Sequence, residues 1–338
     1  MTLRSSDRFH LAADLDTRRI LNGMWQVSGA HGPIDRERAI EEMFAYHEAG
    51  LTTWDLADHY GPAEDLIGDF RRRFTARLGD ERLSEIRAFT KWVPHPGPMT
   101  RRVVEDAVGV SLSRMGVGCL DLLQFHWWDY GDPRYLDALK HLADLQSEGK
   151  IRHLGLTNFD TERLGIIVDQ GVRIVSNQVQ HSLIDRRPEV LMAPYGRDHG
   201  VALLAYGTLL GGLLSERYLG RPEPRPSELN TASLRKYKHM IDAWGGWVLF
   251  QELLAALKRV ADRRQASIAN VGIRYVLDRP AVAGAILGAR LGVAQHIADN
   301  VRVFGVALDA DDLAVIEPVL AKSRDLMKLI GDCGAEYR

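Results

Sequence analysis

Residues 52–61, TTWDLADHYG, begin as a short apolar strand and end in a crowd of ionisable groups: Asp55, Asp58, His59 and Tyr60, before the turn Gly61-Pro62. Two other apolar runs also end on a polar side chain. RAFTKW (87–92) carries Lys91 near its end, and CLDLLQFH (119–126) ends on His126. Asp, Tyr, Lys and His together form a proton-transfer set. A phenol with a pKa of about 10 is a poor acid at neutral pH, and a lysine ammonium a few ångströms away is expected to lower that value by favouring the phenolate. An aspartate beside the lysine keeps it charged and placed. A neutral histidine is expected to hydrogen-bond a substrate carbonyl oxygen, which the tyrosine protonates as a hydride reaches carbon. Positioned proton transfer of this kind is worth roughly 10²–10⁴-fold. Taken singly, each residue has an ordinary reading: Asp55 as an ion-pair partner or helix cap, Lys91 as a surface lysine, His126 as a satisfied core histidine, Tyr206 as a core aromatic. The chemistry requires that they converge.

An alternation of strands and helices supplies the means. Periodicity predicts strands over 20–27, 51–55, 87–92, 119–126, 151–158, 173–180, 201–206 and 282–289. Helices are predicted over 36–50, near 62–73, 104–115, 133–148 (ending at a C′ glycine, Gly149), 160–170, near 188–198, 250–264 and 293–303. Alternating units imply a parallel sheet, and eight of them a closed (β/α)8 TIM barrel. The chain therefore reads as one domain, 1–338, with a core of about 15–320 and a tail over 321–338. FHLAADLDTRRI, before the first strand, is expected to form a hairpin closing the floor. The Pro- and charge-rich stretch 215–249 reads as a long loop at the C-terminal rim. In such a barrel the active site lies at that rim. Asp55, Lys91, His126, Asn158, Gln178 and Tyr206 end strands two to seven, with Tyr60 just beyond Asp55.

Composition narrows the function. The 338 residues are 46% hydrophobic with a formal net charge of -2, which gives no basic surplus for nucleic acid or anionic lipid. Charges through the first thirty residues leave no room for an apolar signal core. The near-apolar run 201–214 is too short and glycine-rich to span a bilayer. Two cysteines, Cys119 and Cys333, support neither a disulfide framework nor a four-cysteine zinc site. The expectation is a cytoplasmic protein with no metal, acting on a small molecule; oligomeric state is not legible. No P-loop, zinc-binding His-Glu-x-x-His or Gly-x-Ser-x-Gly elbow is present.

Five segments in order, WDLADHYG, FTKW, CLDLLQFHWW, LADLQSEGKIRHLGLTNF and LGARLGVAQHIADN, resemble the aldo-keto reductases over roughly 15–320. The resemblance implies Tyr60 as general acid, Lys91 and Asp55 as its tuners, and His126 as the residue orienting the carbonyl. It places the nicotinamide carboxamide at Thr157, Asn158 and Gln178, its ring against Tyr206, and its near end at Gly23 and Met24. Gly207, Leu209 and Gly211 fall where the family's backbone approaches the pyrophosphate. Gly288 and Arg290 fall at the 2′-phosphate, and Asp299 and Asn300 at the adenine. The interval from Gly288 to Asn300 is two residues longer than the family's common pattern, and Asp299 stands for the usual glutamate. NADP(H) is the expected cofactor, and NAD(H) is not excluded.

Trp25, Trp92 and Trp127 follow strands one, three and four, where they would line a substrate pocket; Trp244 and Trp247 would supply its far wall. Two other functions stay open. Potassium-channel beta subunits resemble the same family and serve as cofactor-sensing partners, and a barrel lyase would use Lys91 as a Schiff base.

Overall fold

The computed structural model describes residues 7–29, 34–293 and 296–337, the side chain of Tyr337 excepted. Parts of two expected rim segments, 30–33 and 294–295, lie outside the described residues.

An antiparallel hairpin, β1 (Arg8–Ala12) and β2 (Leu15–Arg18), precedes eight parallel strands. These are β3 (Ile20–Gly23), β4 (Thr53–Asp55), β5 (Arg87–Trp92), β6 (Leu120–His126), β7 (Ile151–Thr157), β8 (Ile174–Gln180), β9 (Ala202–Tyr206) and β10 (Val282–Gly288). They pair in chain order, and β10 returns to β3 to close the barrel. Around them run α1 (Arg36–Glu48), α2 (Ala63–Leu78), α3 (Arg101–Met115), α4 (Tyr135–Ser147), α5 (Thr161–Asp169), α6 (Met192–His199), α7 (Ala232–Trp244), α8 (Gly246–Arg263), α9 (Ile268–Leu277), α10 (Ile297–Arg302), α11 (Ala310–Leu320) and α12 (Leu326–Ile330).

Every residue of β6 is buried, as a strand covered on both faces must be. Its pleat decides what each residue does. Leu122 joins the floor of the barrel interior with Leu21, Phe89, Val175, Leu204 and Ala283. Gln124 and His126, two and four residues further, share that inward face and climb toward the mouth. Leu11 and Leu15 of the hairpin pack into the floor cluster. His153 Nε2 meets Asp14 Oδ1 at 2.7 Å, and the Arg18 amide donates to Thr53 Oγ1 at 3.0 Å. The hairpin therefore closes the floor, as expected.

Side-chain caps start the helices where the loops turn: Asp35 accepts from the Arg38 amide, Thr100 from Val103 and Asp160 from Arg163. Gly149, in the left-handed region at φ 76°, ends α4.

Four expected boundaries shift. The first barrel strand stops at Gly23, whose partners Asp55 and Gly288 are themselves strand ends; beyond it residues 24–27 coil into one 3₁₀ turn. The segment 215–249 is not a long loop. Thr231 caps α7, and α8 begins at Gly246. Tyr237, Met240, Ile241 and Trp244 bury one face of α7, a helical period that lies behind a flank rich in proline and charge. Pro188 sits in a 3₁₀ turn, which delays α6 to Met192, and α10 shrinks to 297–302. Among the described residues four helices fall outside the expected series: α7; α9, between α8 and β10; and α11 and α12, after the last unit.

Candidate active site

The parallel register brings the strand ends to one level. Asp55 lies beside Gly23, Lys91 beside Gln124, His126 beside Thr157, and Thr157 beside Gln178. Lys91 Nζ donates to Asp55 Oδ2 at 2.6 Å and to the Leu56 carbonyl at 2.8 Å. Asp55 Oδ1 accepts from Gln124 Nε2 at 3.0 Å and from Gln178 Nε2 at 2.7 Å. Three donors thus converge on one buried carboxylate. Gln178 Nε2 also reaches Gln124 Oε1 at 2.7 Å. Sequence reasoning passed over Gln124; its signal was a polar residue two positions before His126, on the same pleat face of an apolar strand.

The loop after β4 stays bound to β5. The amides of Leu56 and Asp58 donate to the carbonyls of Phe89 and Lys91, and Asp58 Oδ2 accepts from the Val93 amide. This holds Tyr60 over the lysine, with Lys91 Nζ 5.0 Å from its ring centroid. Trp25 meets the same ring edge-on at 5.1 Å. His59 is exposed and pairs with Asp58, so it supports the loop. Gly61, at φ 53°, lies so near the Ser28 backbone that an added Cβ would stand 3.3 Å from it.

The electrostatics differ from the sequence expectation. Burial raises the Tyr60 phenol above its ordinary value, and the Asp55 and Asp58 carboxylates raise it further. Burial pushes the Lys91 ammonium down, opposed by Asp55 and Asp58. The ammonium's first partner is the carboxylate, so its pull toward the phenolate does not outweigh burial and the two carboxylates. Held by Asp55 and Leu56, the nitrogen has no lone pair turned outward, which counts against a Schiff base.

His126 Nδ1 lies 2.9 Å from the Thr157 carbonyl oxygen. A carbonyl only accepts, so Nδ1 carries the proton, and in the neutral ring Nε2 is an acceptor. A neutral His126 therefore receives a hydrogen bond from a hydroxyl, whereas donating to a carbonyl requires the doubly protonated ring. This corrects the expectation of a neutral donor.

Of the three tryptophans expected at a pocket, only Trp25 reaches the surface, at 37% exposure; Trp92 and Trp127 are 6% and 3% exposed and pack against Phe125. Trp244 and Trp247 are also buried, Trp247 donating to the Arg221 carbonyl. These indoles wedge the rim loops onto the barrel instead of walling a pocket. Trp128, which lies 4.3 Å from the His126 ring and is 47% exposed, stands at the mouth instead.

The residues expected to hold a nicotinamide form one arc. Asn158 adopts a left-handed backbone, φ 59°, at the end of β7, a conformation asparagine tolerates better than most residues. The Thr157 hydroxyl is buried without a partner among the described residues. Both hydrogens of Gln178 Nε2 are committed, which leaves Oε1 to accept. A carboxamide offers one acceptor and one donor, so a hydroxyl and an amide oxygen side by side fit it. The Tyr206 hydroxyl lies 2.9 Å from Asn158 Oδ1. In the turn after β9, Gly207 and Gly211 have positive φ, Tyr237 occupies the space a Cβ on Gly207 would need, and the Thr208 hydroxyl is buried without a partner among the described residues. Leu209 is half-buried in the same turn. Met24 is fully buried in the 3₁₀ turn after β3. At the other end of the arc Gly288, the last residue of β10, and Arg290 just after it are exposed, Asn300 is buried, and Asp299 Oδ2 accepts from the Ser267 hydroxyl. No helix among the described residues is long and apolar enough to cross a membrane.

The Aldo/keto reductase family profile matches residues 19–321. Aldo-keto reductase YhdN of Bacillus subtilis (strain 168) is 26% identical over 317 residues, covering 90% of this chain and 91% of that protein. Flagellar radial spoke protein 5 of Chlamydomonas reinhardtii is 33% identical over 178 residues, but these are 47% of this chain and 33% of that longer protein. The solved structure of the glycerol dehydrogenase AKR11B4 from Gluconobacter oxydans superposes with a TM-score of 0.77 over 94% of this chain and 96% of that one; at 24% identity this is a likeness of fold. With eight strands closed in order, a hairpin beneath them and the family profile spanning the whole barrel, the chain belongs to the aldo/keto reductase family.

Proposed function

We propose that the protein is a nicotinamide-dependent oxidoreductase that interconverts an aldehyde or ketone and an alcohol, with Tyr60 as the proton donor and acceptor. The observation that carries this reading is the meeting of Tyr60, the Lys91–Asp55 pair and His126 at one mouth, beside the unpaired Thr157 hydroxyl and the Gln178 amide oxygen. When bound, the nicotinamide supplies or takes up the hydride. The chain's own residues do the rest. Thr157, Asn158 and Gln178 orient the carboxamide. Asp55 and Leu56 fix Lys91 beneath the Tyr60 ring, where its positive charge steadies a phenolate as the proton leaves. Tyr60, raised by burial, keeps its proton until charge develops on the substrate oxygen. His126, its Nδ1 held by the Thr157 carbonyl, flanks the place of the substrate oxygen, whose proton is exchanged with Tyr60, and Trp25 and Trp128 flank the mouth.

NADP(H) is the preferred cofactor in this reading, because an exposed guanidinium at Arg290 matches a 2′-phosphate. Purified protein incubated with NADPH or NADH and a panel of aldehydes, quinones and sugars is expected to consume reduced cofactor with at least one of them. Tight cofactor binding without turnover on any would point to a cofactor-binding partner protein. In the same assay Arg290→Ala is expected to lower kcat/KM for NADPH by about 10–100-fold and to leave NADH within about threefold. Equal effects on both cofactors would remove the phosphate contact.

The raised phenol sets the pH behaviour. Carbonyl reduction uses Tyr60 protonated, so Tyr60 imposes no loss of rate until pH passes its raised value, above the ordinary value of about 10. Alcohol oxidation uses the phenolate, so its kcat/KM is expected to climb about tenfold per pH unit up to that point. A reduction rate that halves near neutrality, in the wild type and in a His126→Gln variant alike, would contradict the assignment.

A further inference from the structure

The C-terminal tail reaches the rim at Tyr206, and a buried cation holds it there. Arg187, 2% exposed, lies in the turn after β8. Its Nε and Nη2 donate to Asp185 Oδ1 and Oδ2, both at 2.8 Å. Its Nη1 donates to the tail carbonyls of Gly331 and Asp332 at 3.3 and 3.2 Å, and Nη2 also to Glu336 Oε2 at 2.9 Å. Burial alone would lower the guanidinium, yet the Asp185 and Glu336 carboxylates outweigh it and hold it above its ordinary value. Asp332 adds a second anchor, since its Oδ2 accepts from the Thr161 amide at 2.7 Å, at the start of α5. The other oxygen of Glu336, Oε1, lies 3.1 Å from the Tyr206 hydroxyl, which lies 2.9 Å from Asn158 Oδ1.

The hydroxyl of Tyr206 thus sits between two oxygens but has one hydrogen to give. A carboxylate is the stronger acceptor, so the hydrogen goes to Glu336. The contact with Asn158 is then satisfied by the amide turned over, its Nδ2 donating to the phenol oxygen; O and N of an amide are assigned from such networks. In that arrangement the charge of Glu336 decides which end of the Asn158 amide meets the Tyr206 hydroxyl.

We propose that Arg187 and Glu336 are positioning residues of the nicotinamide site: the C-terminal tail, locked by Arg187, fixes the Tyr206 ring and the Asn158 amide through Glu336. This rests on the cofactor reading above, and it adds the tail, which motif matching does not reach. Exposed ion pairs are worth little. This one is enclosed and joined to the residues that meet the ring, so removing one member leaves a buried charge without its partner.

The test measures cofactor binding rather than turnover. The full-length protein, Glu336→Gln, Glu336→Ala and Arg187→Gln are titrated with NADPH or NADH, whichever the wild type binds more tightly, and with the matching probe that lacks nicotinamide, 2′-phospho-ADP-ribose or ADP-ribose. Affinity for the dinucleotide is expected to fall about tenfold, the worth of one hydrogen bond to a charged group, and affinity for the probe to stay within about twofold. Arg187→Gln is expected to open residues 325–336 to limited proteolysis as well. Equal losses on both ligands would mean only general destabilisation, and no loss on either would mean the tail is a bystander; each result overturns the proposal. If the wild type binds the probe and the dinucleotide equally, the nicotinamide site itself fails, a result distinct from failure of the tail's role.

Discussion

Tyr60→Phe is expected to abolish carbonyl reduction, lowering kcat/KM by roughly 10²–10⁴-fold, while binding the nicotinamide cofactor with unchanged affinity. The substitution removes one oxygen and its proton and keeps the ring. That ring holds the packing: Trp25 meets it edge-on at 5.1 Å and Lys91 Nζ lies 5.0 Å from its centroid, and both contacts survive in phenylalanine. Asp58 continues to bind the Val93 amide at 3.1 Å, so the loop keeps its place. The variant should therefore melt within a few degrees of the wild type, quench cofactor fluorescence normally and fail at chemistry. Full activity would remove Tyr60 as the acid. A parallel loss of cofactor affinity would show that the phenol serves the site's shape instead of proton transfer.

Lys91→Met is expected to have two large effects that a second substitution separates. The first is on stability. Asp55, 2% exposed, would lose the ammonium 2.6 Å away, and breaking a buried pair from one side costs about 3–5 kcal/mol. Gln124 and Gln178 still donate to Asp55 Oδ1, which places the loss toward the lower end of that range. The second effect is on rate, because a phenolate forming at Tyr60 would meet the Asp55 and Asp58 carboxylates with no cation between. Asp55→Asn added to Lys91→Met removes the orphaned charge, so the double variant should recover most of the denaturant midpoint and none of the activity. Activity returning with stability would make the pair a scaffold and not part of the chemistry.

The same four-residue set shows how far local pattern carries. Strand ends are legible because a chain alternating between a two-residue and a 3.6-residue period has few folds open to it. Asp55, Lys91, His126, Asn158 and Gln178 fall at corresponding ends because the strands run parallel, so the barrel, its floor hairpin and the convergence at one rim followed from the residues. The tryptophans did not follow. Trp92 and Trp127 sit one residue from polar site residues, and a one-residue step on a strand reverses the face; Lys91 and His126 point into the barrel, so their neighbours point into the core.

What the sequence determined by itself was the order of the eight barrel strands and the identity of most groups at the mouth, since both are properties of short windows. What tertiary structure alone decided were the relations between windows. Asp55 gathers donors from three strands. The Thr157 carbonyl fixes where His126 carries its proton. Burial, not the nearby ammonium, sets the direction of the Tyr60 phenol. Arg187 brings residue 336 to residue 206. Each of these depends on distance and dielectric between groups remote in the chain, and neither quantity is encoded in the composition of any single stretch.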